Sequence, residues 1–214
     1  MAEEILIVAE EARKTELDAL HLDFDKLAEV VRYADSERAL CTGNDPKGFK
    51  LVTVNAKAAR GLREQFCGED WVYDETDNQP GIMNPALSLR VIPCNFDENA
   101  GNLLKTPTNR TSKGAASGTK VRCNGTGWLP GLVAPAFQDD REVTTLVLGI
   151  YSEDGEPLRA ELSFPIGFEK SQYTSFSKRI VLLTGAEDWS ERTGESNRGE
   201  PTETVDIPIT RKTT

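Results

Sequence analysis

Val143-Thr-Thr-Leu-Val-Leu-Gly-Ile-Tyr151, then Asp154-Gly155, then Leu158-Arg-Ala-Glu-Leu-Ser-Phe-Pro-Ile166 read together as a β-hairpin. The first run is rich in β-branched and apolar residues. The Asp-Gly pair suits a tight turn, because glycine takes positive φ without steric cost. In the second run Leu158, Ala160, Leu162, Phe164 and Ile166 alternate with Arg159, Glu161 and Ser163. Side chains in a strand point to opposite faces, so this strand is expected to have one buried and one wet face.

Working outward, Leu87, Leu89 and Val91 alternate with Ser88 and Arg90, and Val121 and Cys123 flank Arg122, which reads as further strand. Downstream, residues 180–183 and 205–209 extend the β pattern, with Pro208 marking the last as an edge. Upstream the period changes. Ile5, Val8, Ala9 and Ala12 have helical spacing, and Phe24, Leu27, Val30, Val31 and Ala34 repeat it behind Asp23, a good N-cap. Gly43 is a plausible stop. A short strand over 49–54 and a third helix over 56–66 follow. Helices first and strands later define an α+β chain: N-terminal helices, then a mainly antiparallel sheet or sandwich with long loops. The 214 residues are expected to form one domain, with a helical part at 1–45 and a mainly β part at 46–214.

Three polar connections stand out, at 68–86, 95–118 and 186–203. Long loops in a compact domain usually bind or cover something. The apolar stretch from Trp128 to Pro135 is expected to pack across the sheet.

The net charge is −10, from 25 Lys and Arg against 35 Asp and Glu, which on average repels nucleic acid and anionic membrane. The average conceals a reversal. No acid occurs from Asn99 to Gln138, while Lys105, Arg110, Lys113, Lys120 and Arg122 all lie there. Glycines and serines between these cations could cradle a phosphate, yet neither a Walker A loop nor G-x-G-x-x-G is present. The opposite charge is concentrated in Glu69-Asp-Trp-Val-Tyr-Asp-Glu-Thr-Asp77, with five carboxylates in nine residues. Asp70, Trp71, Tyr73 and Asp74 are its candidate contact residues, because aromatics alternating with acids suit a recognition surface.

Conventional catalytic centres are hard to build here. His21 is the one histidine, so any Ser-His-Asp or Cys-His centre depends on it. His21, Asp23 and Asp25 would share a face only if 19–25 were a strand; the expected state is a turn with Asp23 capping the next helix. Cysteines 41, 67, 94 and 123 lack the close pair of a zinc site and are expected to be reduced and mostly buried. No metal, cofactor or catalytic residue is assigned. No apolar run approaches the length of a membrane span, and the acidic start lacks the basic character of an export signal, so no membrane contact and a cytoplasmic location are expected.

The leading expectation is a non-enzymatic binding or assembly protein, such as a virion or mobile-element structural component, acting as a homo-oligomer or within a protein assembly. The basic 105–122 loop would meet a phosphate-bearing ligand, nucleic acid or an acidic neighbour. In one version it pairs head-to-tail with the acidic 69–77 stretch of another copy. The alternative is a metal-dependent phosphohydrolase or nuclease. An enzyme needs the two stretches to converge at one pocket; an assembly protein needs them on opposite, exposed faces.

Overall fold

The run that opens at residue 143 becomes the middle of the sheet. The computed structural model describes residues 6–8, 10–68, 70–127 and 143–185. Its elements are β1 (Leu6–Val8), α1 (Glu10–Asp18), α2 (Phe24–Ala39), α3 (Phe49–Phe66), β2 (Val72–Asp74), β3 (Gly81–Asn84), β4 (Leu89–Asn95), α4 (Ala115–Gly127), β5 (Thr144–Tyr151), β6 (Arg159–Glu169) and β7 (Gln172–Leu183). The strands form one mixed sheet in the order β1-β7-β6-β5-β4-β3-β2. Pairing is parallel at β1/β7 and β4/β5 and antiparallel at the other four junctions. The chain is thus α+β, and its described strands share one sheet instead of two stacked ones.

Helices cover both sides of that sheet. On one face Leu146, Leu148 and Ile150 of β5 pack with Val31 of α2 and Leu62 of α3. On the other, Val147 joins Ile92, Cys94 and Val121 of α4. A central strand buried on both faces has no need of alternation, which explains the unbroken apolar run at 146–148. The hairpin falls where the sequence places it, but β6 has no wet face over its first half. Glu161 and Ser163 are fully buried. Gly149 lies under the Phe96 ring, where a Cβ would collide with it.

Local propensity yields to tertiary context in three places. Leu6–Val8 is a strand because it pairs with β7 at Lys178, Arg179 and Ile180. Residues 49–54 are the first turns of α3, not a strand: Val54, Ala58 and Leu62 recur every four residues on its buried side. Val121 and Cys123 lie on α4, whose buried residues Ser117, Gly118, Lys120 and Val121 include a single apolar side chain larger than alanine, so its helical period is faint. Asp23 does cap α2, accepting from the Lys26 amide at 2.9 Å. Among the described residues no helix is long and apolar enough to cross a membrane. The expected strand at 205–209, the excursion at 186–203 and the Trp128 to Pro135 stretch lie outside the described residues.

Candidate functional site

The acidic stretch is pulled in several directions by the elements around it. Asp70 accepts from His21 Nδ1 at 3.0 Å, both half-exposed. Trp71 is 2% exposed, a core side chain whose Nε1 donates to the His21 carbonyl at 2.9 Å. Its ring is therefore unavailable as a contact surface. Asp74 is buried as well, paired with the buried Arg90 and accepting from Thr76 Oγ1 at 2.6 Å. Burial alone would raise the Asp74 carboxyl, but the Thr76 hydrogen bonds and the Arg90 guanidinium outweigh it and hold it below the usual range. Tyr73 remains outside, 69% exposed, with the Arg63 guanidinium 5.4 Å from its ring centre.

The basic stretch divides between a loop and a helix. Lys120 and Arg122 stand on α4, not on a loop. Lys120 is buried and pairs with Asp77 at 2.5 Å, and Ser117 accepts from Gln79 Nε2 at 2.7 Å. Here the two oppositely charged stretches meet within a single chain. The Lys120 contact lowers the Asp77 carboxyl. Lys113 turns inward as the charged neighbour of the Cys94 thiol; burial raises that thiol, and Lys113 opposes the rise. Arg110 pairs with Glu153 at 2.6 Å and stands 5.9 Å from the Tyr151 ring centre. Arg122 Nη2 donates to Thr119 Oγ1 at 3.0 Å. Lys105 is exposed, and its carbonyl accepts from Arg179 Nη1 at 3.0 Å.

The loop before these cations is braced from below. Arg179 and Glu161, 1% and 0% exposed at their side chains, pair at 2.5 Å between neighbouring strands. Glu161 Oε2 also accepts from the Gly101 amide at 2.8 Å, while Arg179 donates to the Asn102 and Lys105 carbonyls at 3.0 Å each. Gly101 has φ +66 and approaches the Leu183 carbonyl so closely that a side chain would not fit. The loop tip between those anchors shows two leucines to solvent, Leu103 at 48% and Leu104 at 95% exposure.

Two adjoining depressions of about 330 and 340 Å³ lie along α3 and share Ala56 and Pro80. The first is bounded by Arg63, Glu64 and Tyr73, the second by Val52, Asn55 and Asn95. Among the described residues the buried Asn55 Oδ1 has no hydrogen-bond partner. These volumes sit at the lower limit of the ~300–1,000 Å³ usual for ligand clefts, a scale suited to one or two side chains.

His21, Asp23 and Asp25 do not converge: His21 turns to Asp70 and Asp23 to its helix. Among the described residues no three His, Cys, Asp or Glu side chains group so as to hold a metal ion. Sequence reasoning missed the leucine pair and the α3 groove. The first was visible only as two adjacent leucines inside a polar loop. The second is assembled from three separate segments. Comparison with protein-family models, with curated proteins and with solved structures finds no match for this chain.

Proposed function

We propose that this protein is a non-enzymatic binding or assembly protein, with contact surfaces at the Lys105 loop and at the α3–β2 end of the sheet. One observation carries the reading. The ionic groups an active centre would draw on already neutralise one another, Asp74 with Arg90 and Asp77 with Lys120, whereas apolar side chains stand exposed on a braced loop. Two adjacent exposed leucines on a loop held by buried anchors form an apolar tip that a partner covers with little loss of conformational freedom.

The structure changes the head-to-tail version in one respect. Lys120 and Asp77 are consumed within the chain, so they do not link copies. Lys105 and Tyr73 remain outward. The Lys105 loop rests on β6 and β7, and Tyr73 on the edge strand β2, four strands beyond β6 in the sheet order. That separation suits contacts made in opposite directions. A metal-dependent phosphohydrolase finds support in the meeting of the two stretches, but the carboxylates that meet there are already charge-paired.

Light scattering on the full chain, at about 0.05 and 0.5 M salt and with or without a mixed oligonucleotide, tests the proposal. The expected result is association beyond 23.6 kDa that oligonucleotide does not change. A monomer that shifts only with oligonucleotide, and cleaves it when Mg²⁺ is added, would overturn it.

A further inference from the structure

Resting on the binding reading above, we infer that the α3 groove is a site for the carboxyl end of a peptide. The terminal carboxylate meets Arg63 and Arg60, and a backbone N–H further up the bound chain meets Asn55. Three observations point to that ligand chemistry.

The first is a guanidinium fixed from behind. Arg63 Nε donates to the Gly81 carbonyl at 3.3 Å, and Nη2 donates to the Asp74 carbonyl and to Glu75 Oε1, each at 3.0 Å. Among the described residues no acceptor meets Nη1. The side chain lines the first depression beside the Tyr73 ring. Arg60 lines it as well, and its partner Glu64 is an exposed neighbour one helical turn on. An exposed pair of that kind is weak and exchanges readily for a ligand carboxylate. Two guanidiniums and one carboxylate line this depression, so an anion is the charge it takes. Charge-assisted hydrogen bonds from guanidinium to carboxylate are stronger than neutral ones.

The second is an unmatched acceptor in the adjoining depression. Asn55 lines it half-buried, and its Oδ1 has no donor among the described residues. Buried polar atoms are seldom left so, and a ligand N–H supplies the donor once the carboxamide turns into the groove. Asn95, in the same wall, donates from Nδ2 to the Leu51 carbonyl at 2.9 Å, which leaves its oxygen as an acceptor too. N–H groups at one end and an anion at the other describe a single extended molecule.

The third is length. Asn55, Ala56, Ala59, Arg60 and Arg63 follow one another along one side of α3. At the helical rise, Asn55 lies about 8–12 Å from Arg60 and Arg63. An extended chain covers about 3.3 Å per residue, so roughly three residues bridge the two ends. Ala56 and Pro80, shared by both depressions, give the middle a small, apolar floor.

NMR of the isotopically labelled full chain, titrated with N-acetyl-trialanine bearing a free carboxyl end, tests the site. The expected result is a shift of the backbone amides along residues 55–63 and of the Asn55 carboxamide, with a Kd of about 1 mM or tighter. The same peptide with an amidated end should bind about tenfold more weakly, as should the free acid to Arg60→Gln or Asn55→Ala. Arg60 is exposed and Asn55 half-buried, and unchanged signals elsewhere verify that each variant is folded. Equal binding of acid and amide, or no shift at about 10 mM peptide, would overturn the site. Acetate reproducing the same shifts at the same concentration would reduce it to an arginine–anion contact and overturn the peptide assignment. Self-association by light scattering in a chain that shows no peptide shift would overturn this site while leaving the assembly reading in place.

Discussion

Arg179 and Glu161 face each other from neighbouring strands, both shielded from solvent, and between them hold the loop that carries Leu103 and Leu104. Ser163 Oγ adds a 2.5 Å hydrogen bond to Glu161 Oε1, so the carboxylate accepts from a serine, a backbone amide and the guanidinium. A charge pair buried this thoroughly is tolerable because its hydrogen-bonding capacity is so largely met.

Removing one member should therefore be costly. Arg179→Met leaves Glu161 buried without its counter-charge, and urea unfolding is expected to show a loss of about 3–5 kcal/mol. Replacing both, as Arg179→Met with Glu161→Met, should recover part of that loss, since no uncompensated charge remains. The double variant should still release the loop, detected as faster amide exchange at Gly101. A single variant within about 1 kcal/mol of wild type would contradict this account of the brace.

Acid should destabilise the fold through identifiable carboxylates. Asp74 is held below its ordinary range against the effect of burial, and Asp154 is lowered to about 2 by Lys50 and Arg38. Both folded-state values lie below the unfolded value of about 3.9. Their contribution is complete above that unfolded value and is lost as pH falls through the folded values. Asp154 is 62% exposed at its side chain, so salt screens it. Asp74 is buried. Thermal unfolding between about pH 5 and pH 2 should thus flatten for Asp74→Asn in low and high salt alike, and for Asp154→Asn only in low salt. Equal flattening of the two at about 0.5 M salt would contradict the difference in burial.

Cys94 should be the slowest thiol to react. It is 1% exposed and burial raises its thiol, whereas Cys41, Cys67 and Cys123 are half-buried. The thiolate is the reactive form, so burial acts twice, on access and on ionisation. Peptide mapping after timed iodoacetamide treatment should show Cys94 unmodified until denaturant is added. Early labelling at Cys94 would mean that the β4–α4 layer opens far more readily than its packing indicates.

What was legible in the sequence follows the strength of local signals. The hairpin at 143–166 and the Asp23-capped helix were clear because turn chemistry, capping and periodicity agreed over many residues. The wet face assigned to β6 was misread because Glu161 looks solvent-facing until its partner, eighteen residues on, is known. Trp71 and Asp74 looked like a recognition surface for the same reason: acids beside aromatics give no sign that His21 and Arg90 claim them. Lys120 and Arg122 were read as loop residues because α4 buries so little apolar surface that its period was weak. The leucine tip matters only beside the brace that fixes it, and that brace joins three distant segments.

The most direct measurement of the central claim is photo-crosslinking from position 104. Leu104 is replaced by a benzophenone-bearing amino acid in an isotopically heavy chain, which is mixed with light wild-type chain and illuminated. The account predicts heavy–light cross-links from residue 104, because the exposed Leu103–Leu104 tip of the Lys105 loop is a contact surface between copies. Cross-links confined to the heavy chain's own residues would contradict it.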